Sequence, residues 1–263
     1  MKHSIGKMAD VKSKKEEGFV RRTGDLVSIP GNYQYRALYE GYTVQRFWHY
    51  AKILEAERWL DPRDGDVILD VGCGSNVLAA RLAENPGTKV IGIDSNRNAI
   101  MFATKHFLRP NLQFRLGLAD EISPGVEYVT KIAFMEVIEH ISSDQALNVL
   151  KTFYKLLAKS GRLVIFTPNA KSLWPIIQWV LDRAKIIPNM GMDQHVILYD
   201  LRSLKLLAEK VGFRIIAYRS LHAIAPWVSA LNWKIALGVH RLEQLRPHLL
   251  GSLLLVTLEK GNH

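Results

Sequence analysis

Short apolar runs alternate along the chain with longer segments in which apolar residues recur every three or four positions. The short runs predict buried strands at 67–71, 90–93, 112–116, 131–135, 162–166, 213–219 and 252–259. The periodic segments predict helices at 33–60, 77–84, 97–106, 143–157 and 201–211. Strands that alternate with helices in this order predict an α/β fold, in which helices cover both faces of a parallel sheet.

A single domain is expected over residues 33–263, preceded by a basic, flexible tail at 1–32. Two long, aromatic-rich connections follow the shorter ones of the first half, near 169–199 and 220–251. We expect both to be partly helical insertions that together form a lid. The tail lacks the apolar stretch of a secretory signal, and no apolar run approaches the ~20 residues that a membrane-spanning helix needs.

The composition is that of an ordinary globular protein, with 263 residues of which 48% are hydrophobic. It excludes a collagen, a long coiled coil and wholesale disorder. The single cysteine, Cys73, excludes an internal disulfide framework and a zinc site built from several cysteines. A chain without disulfides suits a reducing compartment, so a cytoplasmic location is expected.

The formal net charge of +10 is distributed unevenly along the chain. Residues 23–150 carry a net −4, whereas residues 151–263 carry a net +10 and four of the six tryptophans, Trp174, Trp179, Trp227 and Trp233. A uniformly basic protein would favour nucleic acid, but these basic residues are interleaved with apolar ones and no RNA-binding module is evident, so no nucleic-acid partner is expected. Two interpretations of the insertions stay open: a packed lid alone, or a lid that also contacts an anionic membrane surface.

A glycine-containing turn follows the first predicted strand, with glycines at 72 and 74. Glycine lets a ligand approach the backbone, and ligands of open α/β sheets bind beyond the carboxyl ends of the strands. Asp94 ends the next strand, 22 residues beyond Gly72, where a carboxylate can accept both hydroxyls of a ribose. Val77 stands where a dinucleotide-binding turn has its third glycine, and no P-loop lysine follows, so a nucleoside without phosphates is favoured. A plain structural turn is the alternative.

Several segments, in the same order, resemble the motifs of class I S-adenosylmethionine-dependent methyltransferases. They are Leu69-Asp70-Val71-Gly72-Cys73-Gly74, Asp94, Leu118-Ala119-Asp120, Phe134-Met135-Glu136-Val137-Ile138-Glu139-His140-Ile141 and 156–169. The resemblance implies a Rossmann-like, doubly wound sheet of seven strands, parallel except for an antiparallel last strand, and S-adenosylmethionine as the cofactor. Ser75-Asn76 and Ser160-Gly161 depart from the family's usual glycine-bearing turns.

The resemblance assigns the cofactor contacts to seven residues: Arg46, Asp70, Gly72, Gly74, Asp94, Asp120 and Met135. Asp94 would bind the ribose and Asp120 the adenine amine. The segment Glu136-x-x-Glu139-His140 resembles a motif of the ubiquinone-biosynthesis O-methyltransferases, in the methyltransferase type 11 group. In that group an arginine of the preceding helix grips the carboxylate of the cofactor, and Arg46 is similarly placed. The alternatives are a loop or capping acid for Asp94, a helix N-cap for Asp120 and a solvated side chain for Arg46.

The candidates for a general base are His140, Glu136 and His195. The alternative for Glu139 and His140 is that they cap the following helix. The resemblance also raises a divalent metal, whose ligands would be Glu136, Glu139 and His140. These three ligands alone would leave its coordination incomplete, so no metal is predicted.

We therefore predict an enzyme that transfers the methyl group of S-adenosylmethionine to an oxygen, or a nitrogen, of a small acceptor, with lipophilic acceptors among the candidates. The transfer would be a direct in-line displacement, to which the protein contributes position and dry surroundings. One alternative is a cofactor-binding scaffold or partner protein without transferase activity. A nucleic-acid methyltransferase is a less favoured alternative.

Overall fold

A seven-stranded mixed sheet forms the centre of the molecule, whose computed structural model describes residues 30–123, 128–172, 196–246 and 248–261. The strands are β1 (Val67–Val71), β2 (Lys89–Asp94), β3 (Leu112–Leu116), β4 (Val129–Met135), β5 (Leu157–Pro168), β6 (Phe213–Leu221) and β7 (Leu253–Lys260). Their order across the sheet is β3-β2-β1-β4-β5-β7-β6. The last strand, β7, runs antiparallel to both of its neighbours, while the other pairs of adjacent strands are parallel. The predicted α/β fold, with its antiparallel last strand, is confirmed.

Helices lie on both faces of this sheet, as predicted. They are α1 (Tyr33–Tyr39), α2 (Thr43–Leu60), α3 (Val77–Leu82), α4 (Arg97–His106), α5 (Ser143–Leu156), α6 (Leu201–Glu209), α7 (Ala225–Val228) and α8 (Trp233–Glu243). The single helix expected over 33–60 is in fact two, α1 and α2, because the chain turns at Gly41. A Cβ at Gly41 would lie 2.6 Å from the carbonyl oxygen of Ala37, so the turn between the two helices is too tight for a larger residue.

The strand β5 begins five residues before the predicted start at 162. Lys159-Ser160-Gly161 has the composition of a turn, but Leu157 before it is already paired with Val129 of β4. The next pair joins Lys131 to Arg162, so residues 158–161 stand opposite Thr130 alone and form a bulge in β5.

The core consists of two apolar layers, one on each face of the sheet. One layer contains Leu69, Val71 and Phe134 and packs against α5 and α6. The other contains Ile68 and Ala133 and packs against α2 and α3. Successive residues of β1 and β4 thus point to opposite faces and are buried on both, which explains why these strands are continuous apolar runs.

The two predicted insertions are described to different extents. Most of the first, 173–195, including Trp174, Trp179 and His195, lies outside the described residues, as do residues 1–29 of the predicted tail. The second forms α7 and α8, which pack against α2 through a small apolar cluster of Phe47, Ala51, Ala225 and Ala236. Its role as a lid stays a prediction. Among the described helices, none is long and apolar enough to cross a membrane.

Candidate functional site

The glycine turn lies at the point where the strand order of the sheet reverses. From β1 the chain adds β2 and β3 on one side and then returns to add β4 and β5 on the other. A crevice at the carboxyl ends of the strands is expected at such a point. The loops after β1, β2 and β4 therefore meet there, and they carry the predicted glycines, Asp94 and Glu136.

Three left-handed residues shape the turn: Gly72, Gly74 and Asn76, with φ of 72°, 51° and 62°. The amide of Gly72 donates to the carbonyl oxygen of Ile93 at 2.8 Å, which fixes the turn to the end of β2. Asn76 takes the place of the family's further glycine, and asparagine is among the non-glycine residues that most readily adopt this conformation. Its Nδ2 donates to the carbonyl oxygen of Gly74 at 2.9 Å, so the departure noted in the sequence preserves the backbone geometry.

Asp94 is held in place by the backbone on both sides. Its Oδ2 accepts the amide hydrogen of Gly74 at 2.7 Å and its Oδ1 accepts that of Asn96 at 2.7 Å. Burial raises the pKa of Asp94, and these two hydrogen bonds oppose the rise. Each carboxylate oxygen keeps a second lone pair, which suits the two hydroxyls of a ribose.

Asp70 lies behind the turn, in β1, and is 3% exposed. Burial, followed by the nearby charge of Asp94, raises its pKa to about 7. Its Oδ2 has no hydrogen-bond partner within the described part of the protein. Asp70 is thus a buried group poised between its charged and neutral forms, and its predicted contact with the cofactor stays a prediction.

The first helix covers the turn. The Oε1 of Gln34 accepts the amide hydrogen of Ser75 at 2.6 Å, and a Cβ added at Gly74 would overlap the Gln34 amide. The amide of Tyr35 donates to the hydroxyl of Ser75 at 2.8 Å. Sequence reasoning missed Gln34, because a polar residue near the start of an amphipathic helix gives no sign of what it contacts.

A buried ion pair stands at the end of β4, next to the turn. Lys52 of α2 donates from its Nζ to the Oε2 of Glu136. The Lys52 side chain is 6% exposed, whereas that of Glu136 is 33% exposed. Burial alone would raise the pKa of Glu136, but the charge of Lys52 and its hydrogen bond, with a smaller contribution from His140, lower it below its ordinary value. Glu136 is therefore an ionised carboxylate that water, or a substrate, can reach.

The backbone presents Glu136 in an unusual way. Its φ is 54°, in the left-handed region that a glutamate rarely adopts. Its amide donates to the carbonyl oxygen of Phe166 at 2.8 Å, so β5 holds the residue in this conformation. Strained residues of this kind concentrate at functional sites. The conformation makes Glu136 the strongest candidate among the three predicted bases.

His49 and Tyr33 adjoin the ion pair. Burial, followed by the Lys52 charge, lowers the pKa of His49 to about 3, so its imidazole is neutral. The rings of Tyr33 and His49 meet edge to face, with centroids 6.0 Å apart. Burial, followed by the charge of Glu136, raises the pKa of the Tyr33 hydroxyl. None of the sequence predictions included His49, Lys52 or Tyr33. The signal in the sequence was an imidazole and an ammonium three residues apart, at positions of the helix flanked by the apolar residues Ala51 and Ile53.

Glu139 is directed into the interior rather than toward Glu136. It is 1% exposed, and its Oε2 accepts a hydrogen bond from the Thr167 hydroxyl at 3.0 Å. Burial, followed by the charge of Glu136, raises its pKa to about 8. Among the described residues no group of His, Cys, Asp and Glu is arranged to hold a metal ion. The triplet Glu136, Glu139 and His140 does not fit the divalent metal that the resemblance raised.

The remaining predicted residues occupy different parts of the site. His140 is half-buried at the end of a short 3-10 turn, near enough to Glu136 to lower its pKa. Met135 ends β4, and Asp120 lies in the loop after β3. Arg46 is exposed: its Nε donates to the carbonyl oxygen of Leu38 at 3.4 Å and its guanidinium lies 5.9 Å from the ring centre of Trp233. The clamp predicted for Arg46 stays a prediction, as do the roles of the other three.

Comparison with known proteins decides the family. The family described as "Methyltransferase domain" matches residues 42–218, which is more than half of the chain. The chain belongs to this family. The prediction of a class I S-adenosylmethionine-dependent methyltransferase domain is thereby confirmed, and with it the cofactor.

The chain is similar to two curated relatives and, in its fold, to one solved structure. The ubiquinone biosynthesis O-methyltransferase of Aliivibrio fischeri is 27% identical over 148 residues, 54% of this chain and 62% of the relative. Phosphoethanolamine N-methyltransferase 3 of Arabidopsis thaliana is 32% identical over 140 residues, 52% of this chain and 27% of the relative. The magnesium protoporphyrin IX methyltransferase of Synechocystis PCC 6803, solved with bound SAH, superimposes with a TM-score of 0.59 at 14% identity, covering 88% of this chain and 94% of that chain.

This methyltransferase spans between 23% and 62% of the length of the first curated relatives that it matches. The family match over residues 42–218 contains the turn, Asp94 and the end of β4. The described residues fit S-adenosylmethionine there. The Asp94 carboxylate, which keeps a second lone pair on each oxygen, suits a ribose, and the backbone of the turn lies directly beside it. The backbone at Gly72 and Gly74, with Asp94, Asp120 and Met135, would hold the cofactor.

Proposed function

We propose that this protein is an S-adenosylmethionine-dependent methyltransferase that methylates an oxygen, or a nitrogen, of a small acceptor bound beside Glu136. One observation carries the proposal: an ionised, reachable carboxylate stands at the end of β4, directly beside the turn that fits the cofactor. The sulfonium of the cofactor supplies an electrophilic methyl group when it is bound. The protein has to bring a nucleophile into line and accept its proton.

Glu136 is the residue assigned to the proton. Its carboxylate is ionised because Lys52 offsets the effect of burial, and a third of its side chain is exposed. Lys52 is too deeply buried to meet an acceptor, so it acts as a positioning residue that holds the Glu136 carboxylate in place and charged. His140, which is half-buried next to Glu136, is the second candidate base.

The class of acceptor rests on the relatives. Names among the curated relatives include an O-methyltransferase of ubiquinone biosynthesis, an N-methyltransferase of phosphoethanolamine and a sphingolipid C9-methyltransferase. Two of those names refer to lipophilic molecules. The proposed acceptor is therefore a small molecule with a nucleophilic oxygen or nitrogen and a lipophilic part.

Binding of the cofactor is tested by titration calorimetry with S-adenosylmethionine and with its demethylated product. Loss of a charged hydrogen-bonding partner weakens binding by about 1.5–3 kcal/mol, or roughly tenfold to a hundredfold, and this is expected for Asp94→Ala. Asp144→Ala, on an exposed carboxylate at the start of α5, is the matched control and is expected to bind like the wild type. Equal binding by Asp94→Ala and the wild type would refute the position of the cofactor.

Transfer is tested by screening extracts of lipids and small metabolites for an acceptor of a labelled methyl group. Glu136→Gln is expected to lower kcat with unchanged affinity for the cofactor. Lys52→Met is expected to move the acid limb of the kcat/KM profile to higher pH, because the pKa of Glu136 rises without the ammonium. Tight cofactor binding without transfer to any acceptor would favour the scaffold over the enzyme.

A further inference from the structure

Large apolar side chains cover the outside of the second insertion, on and beside α8. Four leucines there are the most exposed, at 89%, 67%, 72% and 79% for Leu231, Leu242, Leu245 and Leu250. Ile224, Trp227 and Ile235 are also exposed. We call these seven residues the outer apolar surface. Single exposed leucines are ordinary, but seven large apolar side chains exposed within 27 residues are a concentration typical of an interaction site.

Four of these seven residues have a spacing that follows one face of α8. Leu231, Ile235, Leu242 and Leu245 recur at intervals of three or four along the helix or its ends, with Gly238 between them. The opposite face is already occupied, because Ala236 and His240 are buried against α2. The helix therefore has an apolar face on each side, and the outer one has no partner within the described part of the chain.

The charges on this surface have one sign. Lys234, Arg241 and Arg246 are exposed among the apolar residues. The acid of this stretch, Glu243, is turned inward, where its Oε1 accepts the amide hydrogens of Ile224 and Ala225 at 2.7 and 3.1 Å. The acidic side chain thus serves to hold the start of α7, and within the described residues 224–246 the exposed charged side chains are all basic.

We propose that the outer apolar surface docks on an anionic lipid surface. Leucine and isoleucine side chains would enter the boundary between headgroups and acyl chains, and Trp227 suits the headgroup level. Lys234 and Arg241 lie along the same helix and are long enough to keep their charges at the phosphates. The surface combines apolar area with positive charge, which is the chemistry of peripheral helices on membranes.

Charge complementarity favours lipid over a second copy of the chain. A two-fold dimer through this surface would place each patch against its own copy. Lys234, Arg241 and Arg246 of one copy would then lie against the same cations of the other copy. Glu243 is turned inward in both copies and could not neutralise them. Like charges brought together in a dry interface are destabilising, whereas anionic headgroups neutralise them. This proposal is independent of which acceptor is methylated.

The test is flotation of the full-length protein with vesicles of phosphatidylcholine alone and of phosphatidylcholine mixed with phosphatidylglycerol. We expect binding to the mixed vesicles that weakens as ionic strength rises. Leu231→Ser/Leu242→Ser is expected to lower the partition coefficient roughly tenfold per leucine, because each loses most of its apolar area. Leu108→Ser/Leu206→Ser, at exposed leucines far from α8 in sequence, is the matched control and is expected to bind like the wild type.

The outcomes of the flotation experiment distinguish a lipid surface from a second copy of the chain. Binding that is equal for neutral and anionic vesicles, or absent from both, would overturn the proposal. Unchanged binding of Leu231→Ser/Leu242→Ser would show that another part of the chain reaches the lipid, and would overturn it as well. A dimer by light scattering that this variant abolishes, without vesicle binding, would assign the surface to a second copy. Thermal melting of both double variants confirms that a loss of binding does not reflect unfolding.

Discussion

Replacing Lys52 by methionine removes the positive charge of the buried ion pair while keeping the length of the side chain. Removal of one partner of a fully buried pair costs about 3–5 kcal/mol, because the other charge is left unpaired. Here a third of the Glu136 side chain remains in contact with water. We therefore expect Lys52→Met to lower the free energy of unfolding by less, about 2–3 kcal/mol at neutral pH.

The loss is expected to shrink in acid. Burial raises the pKa of Glu136, and Lys52 is the main cause that holds it below its ordinary value. In Lys52→Met the folded pKa of Glu136 is raised, so its protonated form stabilises the fold below the ordinary pKa, and this contribution is lost as the pH rises. In the wild type the folded pKa of Glu136 is lowered, so its ionised form stabilises the fold above the ordinary pKa, and this contribution is lost as the pH falls. The difference in stability between the two proteins should therefore be larger near pH ~8 than near pH ~5.

Urea unfolding followed by circular dichroism measures the effect in a double-mutant cycle with Glu136→Gln. A coupling energy of at least about 1 kcal/mol is expected between the two sites, because they share one contact. Arg36→Met, in the exposed pair with Glu40, is the control, and a change of under about 0.5 kcal/mol is expected there. The reasoning is refuted if Lys52→Met is no more destabilising than Arg36→Met, or if the two changes at the ion pair are additive.

Gly72→Ala is expected to abolish cofactor binding in calorimetry and to lower the melting temperature, because a Cβ there would overlap the Val137 side chain at a left-handed φ. Gly65→Ala is the control, because nothing lies within 4 Å of its added Cβ. It should lose only the stability that a left-handed φ costs an alanine, about 1 kcal/mol. Equal losses of stability for the two variants would contradict the steric account. Protonated Glu139, with a pKa of about 8, stabilises the fold fully below 4.5 and loses this contribution as the pH rises through 8. The wild type should therefore lose about 2 kcal/mol between pH ~6.5 and ~8.5 that Glu139→Gln keeps. The surface variant Glu84→Gln should behave like the wild type in the same urea titrations, and a Glu139→Gln curve parallel to that of the wild type would rule out the raised pKa.

The sequence pattern predicts the strands well, because strands buried on both faces are continuous apolar runs. β3 has the predicted bounds and β1 does too, while β4 and β6 are longer by two residues at one end. What the pattern misses is set by neighbours. β5 starts before its polar residues because Leu157 already pairs with Val129 of β4, and the helix over 33–60 is interrupted because the chain turns at Gly41, where a Cβ would lie 2.6 Å from the carbonyl oxygen of Ala37.

The residues of the candidate site likewise fall into two groups: those that the local sequence places at the sheet edge and those that helix packing brings there. The turn, Asp94 and Glu136 follow strands directly, so their meeting at one edge of the sheet can be inferred from strand order alone. Lys52 and Gln34 reach that edge from helices 84 and 41 residues away from their partners. Helix packing, which no local pattern encodes, brings them there. Asn76 is the opposite case: it departs from the family's sequence pattern, and its left-handed backbone conformation explains why the departure is tolerated.

The second helix joins the candidate site to the outer apolar surface. His49 and Lys52, three residues apart, face Glu136 at the end of β4. Phe47 and Glu55 face the insertion instead: Phe47 meets the Trp233 ring with centroids 5.0 Å apart, and Glu55 accepts from His240 at 3.0 Å. Because interiors are close-packed, α8 cannot shift without moving α2. Docking through α8 would therefore place the lipid surface behind the helix that carries Lys52, one helix away from the carboxylate that meets the acceptor.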